Sequence, residues 1–99
     1  MNNIGINGFG RIGRSILRII VESNSDLNVI AINDLGDKET LSYLFKHDSI
    51  MGILNMNVEL EDDSLIVGDR KIKLISHSDP AEIPWSDLGV DLVVESTGF

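Results

Sequence analysis

The stretch Ile4-Gly5-Ile6-Asn7-Gly8-Phe9-Gly10-Arg11-Ile12-Gly13-Arg14 decides the fold. A short apolar strand runs into a glycine-rich turn, and the turn runs into a helix. Gly8, Gly10 and Gly13 have the spacing G-x-G-x-x-G of a dinucleotide-binding crossover, in which each glycine has its own physical task. The first permits a tight turn, the second lets backbone approach a pyrophosphate, and the third lets the helix pack closely on the strand. Because the turn opens a helix, free N–H groups and the positive end of the helix dipole face the phosphates.

The residues that follow supply the context this pattern needs. Residues 15–22 continue the helix, with Ile12, Ile16, Ile19 and Ile20 expected on one face and Arg11, Arg14, Arg18 and Glu22 on the other. A polar turn, Ser23-Asn24-Ser25-Asp26, leads to a second apolar run from Leu27 to Asn33. It ends at Asp34, 21 residues beyond Gly13, close to the roughly 20 at which an acid grips the adenosine ribose. Strand, glycine turn, helix, strand and acid in this order point to a nucleotide site. The alternative for the same pattern is a purely structural βαβ unit.

Composition narrows the classes. With 99 residues the chain is one domain or part of one. A chain of this size buries roughly 60–65% of its unfolded surface. Its apolar runs fall far short of the roughly 20 residues that cross a bilayer, and it opens with no basic-then-apolar leader, so a cytoplasmic protein is expected. There is no cysteine, which excludes disulfides, thiolate metal sites and a thiol nucleophile from this chain. The net charge of −8 is uneven: residues 1–33 carry three Arg against two acids, and residues 34–99 carry five bases against fourteen acids. The positive end coincides with the glycine turn, and the acidic remainder argues against nucleic acid as a partner.

Beyond Asp34, Gly36 to Thr40 reads as a loop into a second helix ending near His47, with Leu41, Leu44 and Phe45 as its apolar face. Asp48 to Asn55 reads as an ordered loop, with Met51, Leu54 and Met56 as loop-packing residues rather than a cofactor box. Val58–Glu61 and Leu65–Val67 are short strands joined through Asp62-Asp63-Ser64, a hairpin signal. Lys71–Ile75 alternates as a sheet strand, and Asp79-Pro80 through Pro84-Trp85 is a crossover with one short helical turn, Trp85 serving as a packing anchor. Val90–Glu95 suits a buried parallel strand, ending in Ser96-Thr97-Gly98 at the sheet edge where ligands bind. The expected architecture is an α/β, Rossmann-type doubly wound parallel sheet, incomplete, with its first four parallel strands and a small hairpin.

Four blocks then become specific together: Asn7-Gly8-Phe9-Gly10-Arg11-Ile12-Gly13-Arg14, Ala31-Ile32-Asn33-Asp34, Asp79-Pro80 with Pro84-Trp85, and Val94-Glu95-Ser96-Thr97-Gly98. In this order and spacing the chain resembles glyceraldehyde-3-phosphate dehydrogenase from end to end. The sister enzyme erythrose-4-phosphate dehydrogenase is similar in the first block and matches Asp34 and the closing block less well. The resemblance implies that residues 1–99 are the N-terminal part of an NAD(P)-binding domain whose catalytic domain lies outside this chain. It implies NAD as cofactor, glyceraldehyde 3-phosphate and phosphate as substrates, no nucleic-acid or membrane partner, and a homotetramer for the full-length enzyme. It further implies that Asn7, Gly8, Phe9, Gly10 and Gly13 shape the turn, and that the amides of Arg11 and Ile12 hold the pyrophosphate. On the same analogy Asp34 takes the ribose, Leu35 lines the adenine pocket, and Ser96, Thr97 and Gly98 approach the cofactor.

Some positions depart from the family pattern. Ser78 stands where a basic residue commonly precedes the Asp-Pro pair, His47 and Met51 replace a tyrosine and a histidine, and Phe99 falls one place early for an adenine-side aromatic. The family's cysteine nucleophile is absent, and neither His47 nor His77, both expected at the surface, forms a triad with Ser96. Other readings remain a standalone nucleotide-binding or regulatory module and a Rossmann enzyme such as an aspartate-semialdehyde or homoserine dehydrogenase. The first block argues against the last of these. For a chain ending at its fourth parallel strand, an open sheet edge implies edge-paired oligomers or aggregates.

Overall fold

The computed structural model describes residues 2–23, 26–47 and 56–97. In chain order its elements are β1 (Asn3–Asn7), α1 (Arg11–Glu22), β2 (Asn28–Asn33), α2 (Lys38–Lys46), β3 (Val58–Glu61), β4 (Ser64–Val67), β5 (Arg70–Ile75) and β6 (Leu92–Glu95), with a single 3₁₀ turn at Pro80–Glu82. They form one six-stranded sheet in the order β3-β4-β5-β2-β1-β6. The strands β5, β2, β1 and β6 run parallel, and β3 and β4 pair antiparallel onto the β5 edge. Counted among themselves the parallel strands have the order 3-2-1-4 of a Rossmann sheet. The hairpin expected from Asp62-Asp63 is thus continuous with the main sheet, and Asp62 turns it with φ 53°.

The glycine stretch sets the geometry of the first crossover. Ile4, Ile6, Leu17, Ile20, Val21, Val29 and Ile32 form one buried cluster with Phe9, Leu41, Phe45, Leu65 and Ile72. Gly13 brings α1 so close to the sheet that an added Cβ would fall well under 3.0 Å from the Gly8 carbonyl, and 3.3 Å from Ile6 Cγ2. With Gly13 facing inward, residues four, seven and eight further on must face inward too. Leu17, Ile20 and Val21 are accordingly buried, while Ile12 and Ile19 are exposed. The expected apolar face of Ile12, Ile16, Ile19 and Ile20 is therefore corrected: only Ile20 of the four is fully buried, and Ile16 packs at the margin. Arg18, expected outside, is buried at 4% exposure with its Nε donating to Glu22 Oε1 at 3.2 Å.

Three other expectations shift. Helix α2 starts at Lys38, capped by Asp37, whose carboxylate accepts from the Thr40 N–H at 3.0 Å, so residues 38–40 belong to the helix. Leu41 and Phe45 are its buried residues and Leu44 is exposed. Strand β6 is shorter and less buried than its β-branched run implies: hydrogen-bonded along one side only, it is the sheet edge, with Leu92 exposed. Val90 is drawn away by a bond from its N–H to the Trp85 carbonyl at 3.0 Å. The Asp48–Asn55 loop, Met51, Leu54 and Phe99 lie outside the described residues. Met56 packs against the core. Trp85 covers Gly5 so closely that a Cβ there would meet its ring, a role for Gly5 that the sequence does not advertise.

No helix among the described residues is long and apolar enough to cross a membrane.

Candidate functional site at the strand ends

Parallel strands place all their carboxyl ends along one edge, and the crevice opens where the strand order reverses. Here that point lies between β1 and β6. A hollow of about 550 Å³ lies there, bounded by Asn7, Gly8 and Gly10 from the turn and by Asn33, Asp34 and Leu35 after β2. His77, Ser78, Pro80 and Ile83 form the wall after β5, and Glu95, Ser96 and Thr97 the wall after β6. A hollow of similar size sits at the other end of the strands, between Asn28, Val67, Gly68 and Arg70. It is built from strand beginnings and a hairpin turn, away from the helix N-terminus.

The turn is held from several sides. Gly8 has φ 96°, a conformation that favours glycine, and its Cβ would lie 2.7 Å from the Thr97 backbone. Its N–H donates to the Asn33 carbonyl at 2.7 Å, and its carbonyl accepts from Ser96 Oγ at 2.6 Å. That bond occupies the Ser96 hydroxyl as a structural donor. Phe9 is buried against Phe45, with ring centroids 5.8 Å apart, and its N–H donates to Asp34 Oδ2 at 2.7 Å. The other Asp34 oxygen accepts from the Gly36 N–H at 2.7 Å. Asp34 is thus fixed by two backbone donors, and each oxygen retains accepting capacity toward the hollow.

Gly10 differs from its neighbours. Its φ of −78° is ordinary for any residue, and an added Cβ would meet nothing within 4 Å. Among the described residues nothing requires a glycine here, and the turn is open to an approach from outside. Gly10 caps α1 without a side-chain bond, and the first turn carries no acid. Arg11 and Ile12, both exposed, stand in that first turn. Free N–H groups, the dipole and a basic first turn make this end attractive to an anion.

Of the residues singled out from the sequence, Asn7, Gly8, Gly10, Asp34, Leu35, Ser78, Ser96 and Thr97 meet around the one hollow. Phe9 and Gly13 lie beneath it as packing, and Arg11 and Ile12 stand beside it. Gly98 lies outside the described residues. His77 is half-buried in the wall, a correction to its expected surface position, whereas His47 is exposed and stacks on Tyr43 at 4.5 Å. Asn33, Glu95, Pro80 and Ile83 also line the hollow, although none of them is expected there as a site residue from the sequence. Two of them, Asn33 and Glu95, emerge only through the register, as the partners of Asn7 on its two sides.

The chain from residue 2 to 99 matches the family model described as glyceraldehyde 3-phosphate dehydrogenase, NAD binding domain. It is 52% identical over 98 residues to glyceraldehyde-3-phosphate dehydrogenase 1 of Bacillus cereus, covering 99% of this chain and 29% of that one. Identity to the Thermotoga maritima glyceraldehyde-3-phosphate dehydrogenase is 52% over 99 residues, 99% of this chain and 30% of the relative. The Streptomyces coelicolor enzyme of the same name is 48% identical over 96 residues, 97% of this chain and 29% of its own. The chain thus spans about three-tenths of the length of these curated relatives.

Proposed function

Because this chain belongs to the family of glyceraldehyde 3-phosphate dehydrogenase NAD-binding domains, we propose that residues 1–99 are the amino-terminal, cofactor-holding part of a phosphorylating glyceraldehyde-3-phosphate dehydrogenase. NAD is the family's cofactor, and when bound it supplies the hydride acceptor for aldehyde oxidation. The residues around the hollow fit it. The backbone at Gly10, Arg11 and Ile12 holds the pyrophosphate at the start of α1, with Asn7, Gly8, Phe9 and Gly13 shaping the approach. Asp34 accepts hydrogen bonds from the adenosine ribose, and Leu35, Ser78, Pro80 and Ile83 flank the adenine. Ser96 and Thr97 close the opposite side.

The chain's own contribution is binding and orientation. It carries no cysteine, so the nucleophile that attacks the aldehyde and the site that admits phosphate belong to a catalytic domain beyond it. In that reading the whole enzyme takes glyceraldehyde 3-phosphate and phosphate, assembles as a homotetramer and works in the cytoplasm.

The observation that carries the reading is the open space over Gly10. Gly10→Ala tests it, since the chain has room for the methyl group and a pyrophosphate does not. Stability should change by no more than about 1 kcal/mol, the scale of an N-cap substitution, while NAD affinity should fall at least about tenfold. A variant that keeps wild-type NAD affinity would remove the pyrophosphate from this turn and the reading with it.

A further inference from the structure

We propose that Asn33 is a positioning residue that builds the adenosine-side wall of the hollow, acting through the backbone of His77. The proposal rests on the reading of the hollow as a nucleotide site. Strand β5 ends at Ile75, opposite Asn33, and the last backbone bond between the two strands runs from the Asp34 N–H to the Ile75 carbonyl at 3.0 Å. Beyond that point the chain has left the sheet, yet His77 and Ser78 still form the wall. Asn33 bridges the gap. Its Oδ1 accepts from the His77 N–H at 2.8 Å, and its Nδ2 donates to the His77 carbonyl at 3.1 Å. A primary amide carries donor and acceptor side by side in one plane, as a peptide unit does. Here it gives His77 the two bonds that a further residue of strand would have made.

The same amide is anchored on its other side. Asn33 Nδ2 also donates to Asn7 Oδ1 at 2.9 Å, and Asn7 Nδ2 donates to both carboxylate oxygens of Glu95, at 3.2 and 3.0 Å. Glu95, Asn7, Asn33 and His77 thus form a row of polar groups across the ends of β6, β1, β2 and β5. Asn7 and Asn33 are 6% and 5% exposed, so water does not readily replace a bond lost from the row. The glycine turn is held separately, by the Gly8 N–H on the Asn33 carbonyl and by the Phe9 N–H on Asp34. Both bonds survive loss of the Asn33 side chain. The two halves of the hollow are therefore held by different atoms and should respond separately.

The test compares two probes in the full chain, adenosine 5′-monophosphate for the wall and inorganic pyrophosphate for the turn, together with amide hydrogen exchange at His77. In Asn33→Ala, adenosine monophosphate should bind about tenfold more weakly, pyrophosphate should stay within about twofold, and the His77 amide should exchange about a hundredfold faster. Loss of both ligands in parallel, or unchanged adenosine monophosphate binding in the variant, overturns the assignment to Asn33 alone. A wild-type chain that binds neither probe overturns the nucleotide reading and this one together. Should Asn33→Ala not fold, the wild type decides. A His77 amide exchanging as slowly as those of β5 supports the clamp, and one exchanging at the rate of an open loop overturns it.

Discussion

Gly13→Ala sets two effects of opposite sign against each other, and the structure says which wins. On helix propensity alone, alanine inside α1 should stabilise the chain by about 0.8–1.0 kcal/mol. The added Cβ, however, would fall well under 3.0 Å from the Gly8 carbonyl oxygen and 3.0 Å from Ser96 Oγ. The first of these is backbone and cannot swing aside. Either α1 lifts from β1 or the turn moves, and overpacking of this kind costs about 1–3 kcal/mol. The Ser96 Oγ to Gly8 carbonyl bond of 2.6 Å lies in the way of either movement, and its loss adds about 1 kcal/mol. The net is a loss of about 2 kcal/mol, or a Tm lower by about 8–16 °C for a chain of this size. Thermal unfolding followed by circular dichroism reads the stability, and NAD titration of the same samples should show weaker binding, because the displaced turn carries the proposed phosphate donors. A Tm equal to or above that of the wild type would show that propensity dominates and that Gly13 does not set the helix-to-turn distance.

Asp34→Ser removes the acceptor of the Phe9 and Gly36 N–H groups as well as the proposed ribose ligand, so NAD affinity should fall about a hundredfold and the preference over NADP should shrink. Unchanged titrations for both cofactors would take Asp34 out of the site. The chain should show no aldehyde-dependent reduction of NAD, since it holds no thiol; turnover by the purified chain, followed at the absorbance of NADH, would place the chemistry within it. With β6 bonded on one side only, the chain should form edge-paired dimers or larger species at tens of micromolar, and a monodisperse monomer by light scattering would speak against that pairing. Gly5→Ala should destabilise by about 1–3 kcal/mol by driving Trp85 off the sheet, readable as a red shift in tryptophan emission; an unshifted spectrum would show that the ring has another place to go.

The order of elements, and the residues that meet around the candidate site, were legible because they follow from local rules. G-x-G-x-x-G names a strand, a turn and a helix, and the Asp34 spacing names the second strand's end. The inward face of α1 was not legible from periodicity, since Ile12, Ile16, Ile19 and Ile20 make as good a stripe as Gly13, Leu17, Ile20 and Val21. The choice between them is made by the contact of Gly13 with Gly8, and a hydropathy pattern counts glycine as nothing. Strand β6 read as buried because its composition is that of an interior strand, whereas burial depends on what lies beside it. The row through Asn33 and Glu95 stayed hidden for another reason. Each residue is an ordinary polar strand end in sequence, and only the register of β2, β1 and β6 brings them within 3 Å or so of one another.

The sheet order also fixes a timetable for biosynthesis. Strand β1 is made before both of its partners, gains β2 on one side within the next 26 residues, and waits for the other until residue 95 has been added. At about 5–20 residues per second, the 62 residues between Asn33 and Glu95 take about 3–12 s to polymerise. Throughout that interval the β6-facing edge of Ile4–Asn7 is unpaired, the Asn7 Nδ2 lacks the Glu95 carboxylate, and the Gly8 turn lacks the Ser96 hydroxyl that later holds it. The glycine turn is therefore synthesised well before the strand that gives it its final shape. A nascent chain stalled before β6 should present β1 as a sticky strand, the kind of segment that ribosome-associated chaperones cover.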